Sequence, residues 1–287
     1  MPPKTTTATT LDPHNGVAVI TGAASGIGAA LALQLAARGC HLALVDNNPA
    51  GLDQTVAAAR KLGVQASRHL QDLADPGAAA ALLAAVQASH GRATLLINNA
   101  GVALGGDFLQ VQAEDFDWLM AVNFSAVVRL TRVFLPLLAL QPAAQIVNVS
   151  SIFGIIAPPG QTAYCASKFA VRGFSESLRH ELAAAGSPVR VTLVHPGGVR
   201  TGIADNARAP AGTSAAQVAA AQHAWRQLLR LTPEAAATRM LRGIERREAR
   251  VLVGDDAVRA AWVQRLLPVR YWALVARDIA KRVGRPA

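Results

Sequence analysis

The sequence is short of the residues that mark secreted, metal-dependent or membrane-spanning proteins. Its 287 residues include two cysteines, Cys40 and Cys165, which predict free thiols in a reducing compartment. No group of histidines and cysteines has the spacing of zinc ligands, so we predict no catalytic metal. No apolar run reaches the ~18 residues that span a bilayer, and residues 1–15 lack the apolar stretch of a signal peptide. We therefore expect a soluble, cytoplasmic protein with a disordered tail over residues 1–15.

Acidic residues are also scarce, with 18 Asp and Glu against 28 Lys and Arg, and the formal net charge is +10. Most of the excess follows Arg239. Residues 255–287 predict a basic, amphipathic helical extension that Pro268 interrupts. We favour packing of this extension on its own domain or on a partner subunit. The alternatives are a lid or a membrane-surface contact, and nucleic-acid binding, which no accompanying motif supports.

Short aliphatic segments alternate with alanine- and leucine-rich helical patterns along most of the chain. This order predicts an α/β fold with a doubly wound, parallel, seven-stranded sheet in a single Rossmann-like domain over residues 16–254. Strands of such a sheet are covered on both faces and are therefore almost continuously apolar. The predicted strands are 17–21, 41–45, 65–69, 95–98, 144–149, 189–194 and 250–253.

A glycine-rich turn lies between the first predicted strand and the helix that follows it. Gly22, Gly26 and Gly28 form a G-x-x-x-G-x-G pattern. Glycines let the chain turn tightly and let a ligand approach the backbone, and free amides at a helix N-terminus suit a pyrophosphate. The pattern predicts nucleotide binding, although a purely structural turn is the alternative.

Asp46 ends the second predicted strand and indicates which nucleotide the turn would bind. An acid about 20 residues after the glycine turn can accept hydrogen bonds from both hydroxyls of a ribose and would repel a 2′-phosphate. Asn47 and Asn48 follow it, so no arginine is at hand for that phosphate. We predict NAD(H) in preference to NADP(H). The alternatives are that Asp46 caps the next helix, or that Arg38 is recruited to a phosphate.

Tyr164 and Lys168 are four residues apart and lie on one face of a predicted helix. A neighbouring ammonium should lower the pKa of the tyrosine from its usual value near ~10. A phenol of that kind can donate or accept the proton when a carbonyl and an alcohol interconvert. A tyrosine and a lysine at this spacing occur by chance in many helices, so the pair indicates catalysis only together with the surrounding motifs.

In this order, the motifs resemble the classical short-chain dehydrogenase/reductase family, from about residue 16 to residue 252. Thr21 to Gly28 matches the cofactor turn of that family, and Asp72-Leu73 matches its adenine contact. The other matches are Asn98-Asn99-Ala100-Gly101, Ser150-Ser151 with Tyr164 and Lys168, and Pro196-Gly197-Gly198-Val199-Arg200-Thr201.

The resemblance implies a role for each matched position. Tyr164 would be the general acid/base, and Lys168 would lower its pKa and bind the nicotinamide ribose. Ser151 would polarise the carbonyl, with Ser150 as a strand-end residue. Asn123 would hold a proton-relay water, or would be a buried polar group bonded to the backbone. The implied cofactor contacts are Gly22, Ser25, Gly26, Ile27, Gly28, Asp46, Asp72, Leu73, Asn99, Ala100, Gly101, Tyr164, Lys168, Pro196, Gly197, Val199 and Thr201.

The implied activity is that of an NAD(H)-dependent alcohol dehydrogenase or ketoreductase. Residues 102–108 and 152–159 should line the substrate cleft, and residues 202–231 should form its lid. The apolar side chains of 152–159 favour an apolar secondary alcohol or ketone, unless they are core. His195 is interpreted as structural, since Tyr164 already serves as the base.

Two other functions stay open: an NADPH-dependent carbonyl reductase, and a non-catalytic NAD-binding scaffold or sensor. The resemblance also implies a homodimer or homotetramer that pairs through the predicted helices 116–138 and 164–184. We expect no nucleic-acid partner.

Overall fold

A seven-stranded, all-parallel sheet forms the centre of the computed structural model, which describes residues 10–283, with side chains as far as residue 278. The strand order is β3-β2-β1-β4-β5-β6-β7, which confirms the predicted doubly wound sheet. Four strands have the predicted bounds, and the other three differ by one or two residues. The strands are β1 Val17–Thr21, β2 His41–Asp46, β3 Ala66–Leu70, β4 Leu95–Asn98, β5 Ala144–Val149, β6 Val189–Pro196 and β7 Arg250–Val253.

Helices cover both faces of the sheet. They are α1 Gly26–Ala36, α2 Pro49–Lys61, α3 Ala78–His90, α4 Ala113–Met120, α5 Ala126–Ala139, α6 Thr162–Ala184, α7 Ala215–Leu228, α8 Pro233–Glu245, α9 Asp255–Leu266 and α10 Tyr271–Val283. Successive strand residues point to opposite faces. Ile20 and Leu44 therefore join a core with α1, α2 and α8, whereas Val19 and Val45 join a core with α3 and α5.

A π-helical turn, Ala121–Ser125, separates α4 from α5, where the sequence predicts one continuous helix over residues 116–138. By length and composition alone, Ala113–Ala139 is apolar enough to cross a membrane, although charged residues interrupt it and no uninterrupted apolar run reaches ~18 residues. In the fold this segment packs beneath the sheet, with Leu130 and Phe134 almost fully buried. The composition is therefore that of a core helix.

Both ends of the described chain pack against the domain. The predicted disordered tail is wrong for residues 10–15, because Leu11 is buried and its amide donates to the Glu245 carbonyl at 2.8 Å. Residues 1–9 lie outside the described residues. The predicted extension forms two helices, α9 and α10, and the loop between them contains Pro268. Residues 284–287 of that extension are likewise outside the described residues.

Candidate active site

A large cleft opens at the carboxyl edge of the sheet, where ligands bind in doubly wound folds. Its volume is about 1430 Å³. The loops after β1 to β6 form its floor, and the segment after β6 and the C-terminal helices form its outer walls. Of the predicted site residues, all line this cleft except Gly28 and Asn123, which lie directly behind it.

The glycine turn after β1 has no room for side chains. Gly22 and Gly26 have φ angles of +66° and +55°, a region that L-residues rarely adopt. A Cβ atom on Gly28 would lie 1.9 Å from the Gly22 carbonyl oxygen, so only glycine lets α1 begin this close to the turn. No acidic residue occupies the first turn of α1. This glycine-lined N-terminus suits a phosphate group.

The side chain of Asn99 supports this turn from the neighbouring strand. Its Nδ2 atom donates to the carbonyls of Thr21 at 2.9 Å and Gly22 at 3.2 Å. The Thr21 hydroxyl oxygen in turn accepts from the amides of Asn99 and Ala100, both at 3.0 Å. The motif after β4 therefore holds the glycine turn in position as well as lining the cleft.

The Asp46 carboxylate lies at the end of β2 beside the turn. Its two oxygens accept from the amides of Ala24 at 2.9 Å and Asn48 at 3.0 Å. The alternative that Asp46 caps α2 is wrong, because the Asn48 side chain accepts from Gly51 and is the N-cap. Arg38 points elsewhere and pairs with Glu245 at 2.6 Å.

Ser151, Tyr164 and Lys168 come together where β5 ends against α6. The Ser151 side chain hydrogen-bonds to Tyr164, and its Oγ atom accepts from the Phe153 amide at 3.1 Å. Lys168 Nζ lies 5.5 Å from the centre of the Tyr164 ring and donates to the Val149 carbonyl at 3.2 Å. The Ser150 hydroxyl donates to the Lys168 carbonyl, so Ser150 is a strand-end residue as predicted.

The pKa of Tyr164 does not follow the sequence prediction. Protein atoms crowd around the phenol although part of the ring is accessible, and burial raises the pKa of Tyr164 to about 12, with the Ser151 hydrogen bond opposing. Burial also lowers the pKa of Lys168 to about 8. The prediction that the pKa of Tyr164 is lowered is therefore wrong when only protein groups surround it, because the effect of burial is larger than that of the Ser151 hydrogen bond. Tyr164 is a proton donor at neutral pH.

Asn123 lies in the π-helical turn, buried directly behind the cleft. Its Oδ1 accepts from the Val102 amide at 2.8 Å, and its Nδ2 donates to the Val102 carbonyl at 3.0 Å and to Ser167 Oγ at 3.2 Å. These bonds agree with the alternative that Asn123 is a buried polar group bonded to the backbone. A Cβ atom on Gly101 would lie 3.4 Å from both Asn123 Oδ1 and Lys168 Nζ, so both atoms border this glycine.

An acid that the sequence analysis missed holds the loop after β6. Asp256, in the first turn of α9, accepts from the Gly198 amide at 2.7 Å. A Cβ atom on Gly197 would lie 2.1 Å from the same carboxylate. The sequence places this acidic residue in the first turn of a helix. That helix was predicted as part of a separate C-terminal extension, so a contact with the loop after β6 was not expected.

His195 is buried at the end of β6, and burial lowers its pKa to about 3, so the ring is neutral. Nδ1 donates to the Ser151 carbonyl at 2.8 Å, because a carbonyl only accepts. The structural interpretation of His195 therefore agrees with its position.

Apolar and aromatic side chains line the substrate side of the cleft. Phe153 makes edge-to-face contacts with Tyr164 at 6.1 Å and with Trp225 of the predicted lid at 5.7 Å. Ile152 and Ile156 also line the cleft, whereas Ile155 belongs to the core beneath it. The predicted wall is thus partly core.

Arg208 joins the lid segment to the wall that α4 and the loop after β4 form. Its guanidinium stacks on Trp118 at 3.4 Å and pairs with Asp115 at 2.8 Å. Its backbone bonds to the loop after β4, at Ala103 and Gly105. Arg208 is not among the residues predicted from the sequence, because its partners are distant in sequence.

The C-terminal helices complete the outer wall. Ala260 and Val263 of α9 and Val275 of α10 line the cleft, and the Tyr271 hydroxyl oxygen accepts from the Ala157 amide at 2.9 Å. This inward side packs on its own domain, as the favoured interpretation expects.

A doubly wound parallel sheet with a glycine turn at its first crossover defines the class of dinucleotide-binding α/β domains. Residues 16–212 match the sequence profile of the short chain dehydrogenases. The protein SadH of Mycobacterium tuberculosis is 43% identical over 265 residues, which cover 92% of this chain and 95% of SadH. The chain therefore belongs to the short-chain dehydrogenase/reductase family of oxidoreductases.

Two solved structures with this fold differ in their cofactor. A short-chain dehydrogenase/reductase from Burkholderia phymatum in complex with NAD has a TM-score of 0.83 and 33% identity, over 89% of this chain and 95% of that one. A metagenomic short-chain oxidoreductase in complex with NADP has a TM-score of 0.68 and 30% identity, over 85% of this chain and 98% of that one. The fold thus accepts either nucleotide.

Proposed function

We propose that this protein is an NAD(H)-dependent oxidoreductase that interconverts an apolar secondary alcohol and its ketone. The observation that carries the proposal is the group of Ser151, Tyr164 and Lys168 in the same cleft that the glycine turn lines. When bound, the nicotinamide supplies or accepts the hydride. The remaining steps belong to the side chains of this chain.

The residues around the glycine turn fit an adenine dinucleotide. Gly22, Gly26 and the amides that begin α1 would hold the pyrophosphate. Asp46 would accept from the adenosine ribose hydroxyls, and Asp72 and Leu73 would contact the adenine. Since the Asp46 carboxylate faces this part of the cleft and Arg38 is paired elsewhere, we propose NAD(H) in preference to NADP(H).

In the reducing direction, Tyr164 donates its phenolic proton to the substrate oxygen, and Ser151 donates a hydrogen bond to the same atom. The raised pKa of Tyr164 keeps the phenol protonated near neutral pH, which suits an acid. Lys168 has a pKa of about 8, so it exchanges protons near neutral pH and can return one to Tyr164. Asn123 would support this relay, since it borders Gly101 together with Lys168 Nζ.

The substrate proposal rests on the walls near Tyr164. Phe153, Trp225 and Val275 present apolar surface to the cleft, and the Arg208 guanidinium is already stacked on Trp118 and paired with Asp115. An apolar alcohol or ketone buries its surface against these side chains and leaves one oxygen for Ser151 and Tyr164.

The test is a panel of apolar secondary alcohols with NAD⁺ and of the matching ketones with NADH, followed by the absorbance of the reduced nicotinamide. Each assay is repeated with NADP⁺ or NADPH at equal concentration. We expect turnover with NAD(H) and much less with NADP(H). Faster turnover with NADP(H) would overturn the assignment of Asp46, and NADH binding without turnover across the panel would favour the scaffold function.

A further inference from the structure

The exposed apolar side chains of this protein are concentrated in its C-terminal helices. Twelve large apolar residues are exposed in the described part of the chain, and half of them fall in the 17 positions from 258 to 274. They are Val258, Trp262, Leu266, Leu267, Val269 and Leu274, and Val269 and Leu266 are 88% and 71% exposed. Contiguous apolar surface of this kind marks an interaction site.

The exposed residues of α9 form one continuous stripe. Val258, Trp262 and Leu266 recur every four residues, so they lie above one another on one face of the helix. Arg265 flanks this row, three residues after Trp262, whereas Arg259 lines the cleft. The opposite side of α9 contains Ala257 and Ala260, which are buried in the domain. The loop after α9 continues the surface with Val269 and Arg270, both exposed.

The charge of this surface is mainly positive. Four arginines, at positions 259, 265, 270 and 277, lie between Asp255 and Asp256 at the start of α9 and Asp278 in α10. Exposed Trp, Leu and Val side chains beside arginines suit the interface of an anionic bilayer. The apolar row enters the lipid boundary, and the arginines meet the negative headgroups.

The same two helices form the outer wall of the cleft. Val263 and Val275 face the cleft on the inward side, whereas Trp262 and Leu266 face solvent on the outward side. The exposed surface and the proposed substrate cleft are therefore separated by the thickness of one helix layer. An apolar ligand dissolved in a bilayer would reach the cleft from this side.

We propose that the outward face of α9 and the α9–α10 loop docks on an anionic lipid bilayer. The docking face is defined by Val258, Trp262, Arg265, Leu266, Val269 and Arg270. Two-fold pairing of this face with a second copy would bring like-charged arginines together. Nucleic acid would meet the arginines but leave the aliphatic side chains without a partner. The docking itself does not depend on the proposed activity.

The test is sedimentation of the full-length protein with vesicles, without cofactor or substrate. One set of vesicles contains equal parts phosphatidylglycerol and phosphatidylcholine, and the other contains phosphatidylcholine alone. We expect binding to the anionic vesicles that weakens as salt increases, and little binding to the neutral ones. Equal binding to both sets would overturn the role of the arginines.

Two variants separate the contributions of charge and apolar surface. Arg265→Gln with Arg270→Gln should weaken binding about 30-fold, since each arginine near an anionic surface contributes about 1 kcal/mol. Trp262→Ser with Leu266→Ser should weaken it at least ~10-fold. All four positions are exposed, so both variants should keep the fold, which circular dichroism checks.

Matched controls lie at the C-terminal ends of other helices, α2, α5 and α8. Leu62→Ser with Leu140→Ser removes equally exposed apolar groups, and Arg242→Gln with Arg246→Gln removes the same charge. Both controls should bind vesicles like the unmodified protein. Loss of binding in the controls would mean that docking is not local to α9. The proposal would be overturned if no form of the protein bound vesicles and the Trp262→Ser, Leu266→Ser variant changed the sedimentation coefficient of the free protein. That result would identify the face as a subunit interface.

Discussion

The two halves of the cleft are built in different ways. The half around the glycine turn consists mostly of backbone groups, which hydrogen bonds such as those of Asn99 with the turn and of Asp46 with Ala24 hold in place. The half around the lid consists of side chains from distant segments, such as Phe153, Trp225 and Val275. A nucleotide subsite can therefore be predicted from a sequence motif, whereas a substrate subsite depends on how distant segments pack.

Tyr164→Phe should separate the two halves most strongly. The substitution keeps the ring that contacts Phe153 but removes the acid, so turnover should fall roughly 10²–10⁴-fold. Nucleotide binding, followed by NADH fluorescence, should stay within about twofold because the glycine turn is untouched. Turnover close to that of the unmodified protein would show that another group supplies the proton.

Gly28→Ala should damage the nucleotide half and the fold together. The new methyl would lie 1.9 Å from the Gly22 carbonyl oxygen, so the turn must shift, at a cost of about 3 kcal/mol in the free energy of unfolding. Gly63→Ala is the control, because nothing lies within 4 Å there and only the positive φ opposes it, at about 1 kcal/mol. Urea unfolding measures both, and equal losses would contradict the steric argument.

The pH dependence should differ between the two reaction directions. Reduction uses the protonated form of Tyr164, which is fully populated below its pKa of about 12, so its rate should be nearly flat from pH 6 to 8. Oxidation uses the rare deprotonated form, whose population grows about tenfold per pH unit below that pKa. Initial rates in both directions provide the measurement. A fall in the oxidation rate between pH 6 and 8 would contradict the assignment of Tyr164.

Asp46→Asn should weaken the cofactor preference and leave the substrate half unchanged. The asparagine side chain keeps one oxygen that can accept from the backbone amide of Ala24 or Asn48. It removes the negative charge that opposes a 2′-phosphate. We expect the ratio of kcat/KM for NAD⁺ to that for NADP⁺ to fall about tenfold or more. Asp53→Asn, at an exposed carboxylate of α2, is the control and should leave the ratio as it was.

Arg208→Gln should have the smallest effect, and only in the substrate half. It removes the stacking on Trp118 and the exposed ion pair with Asp115, together worth about 1 kcal/mol. The KM for the alcohol should rise about fivefold, with little change in kcat or in the KM for NAD⁺. A fall in kcat with an unchanged KM would contradict a role in holding the lid.

Much of the fold was predictable because its signals are local and periodic. The bounds of β1, β4, β5 and β7 follow directly from apolar runs bounded by turn residues. Tyr164 and Lys168 were predictable for the same reason, since the geometry of one helix turn brings them together. The π-helical turn around Asn123 was not, because a local change in helix winding has no distinct apolar period.

Local sequence patterns were enough to predict the order of strands and helices, the glycine turn and the Tyr164–Lys168 pair, because each depends on neighbours within a few residues, whereas Asn123 and Ser151 were identified through the family resemblance. The folded chain was needed to find that Asp256 holds the loop after β6, that Arg208 pairs with Asp115, and that α9 and α10 form a wall of the cleft. These contacts join residues 58 to 114 positions apart. The tertiary structure also decided the direction of the Tyr164 pKa, because burial depends on how the whole chain surrounds the phenol.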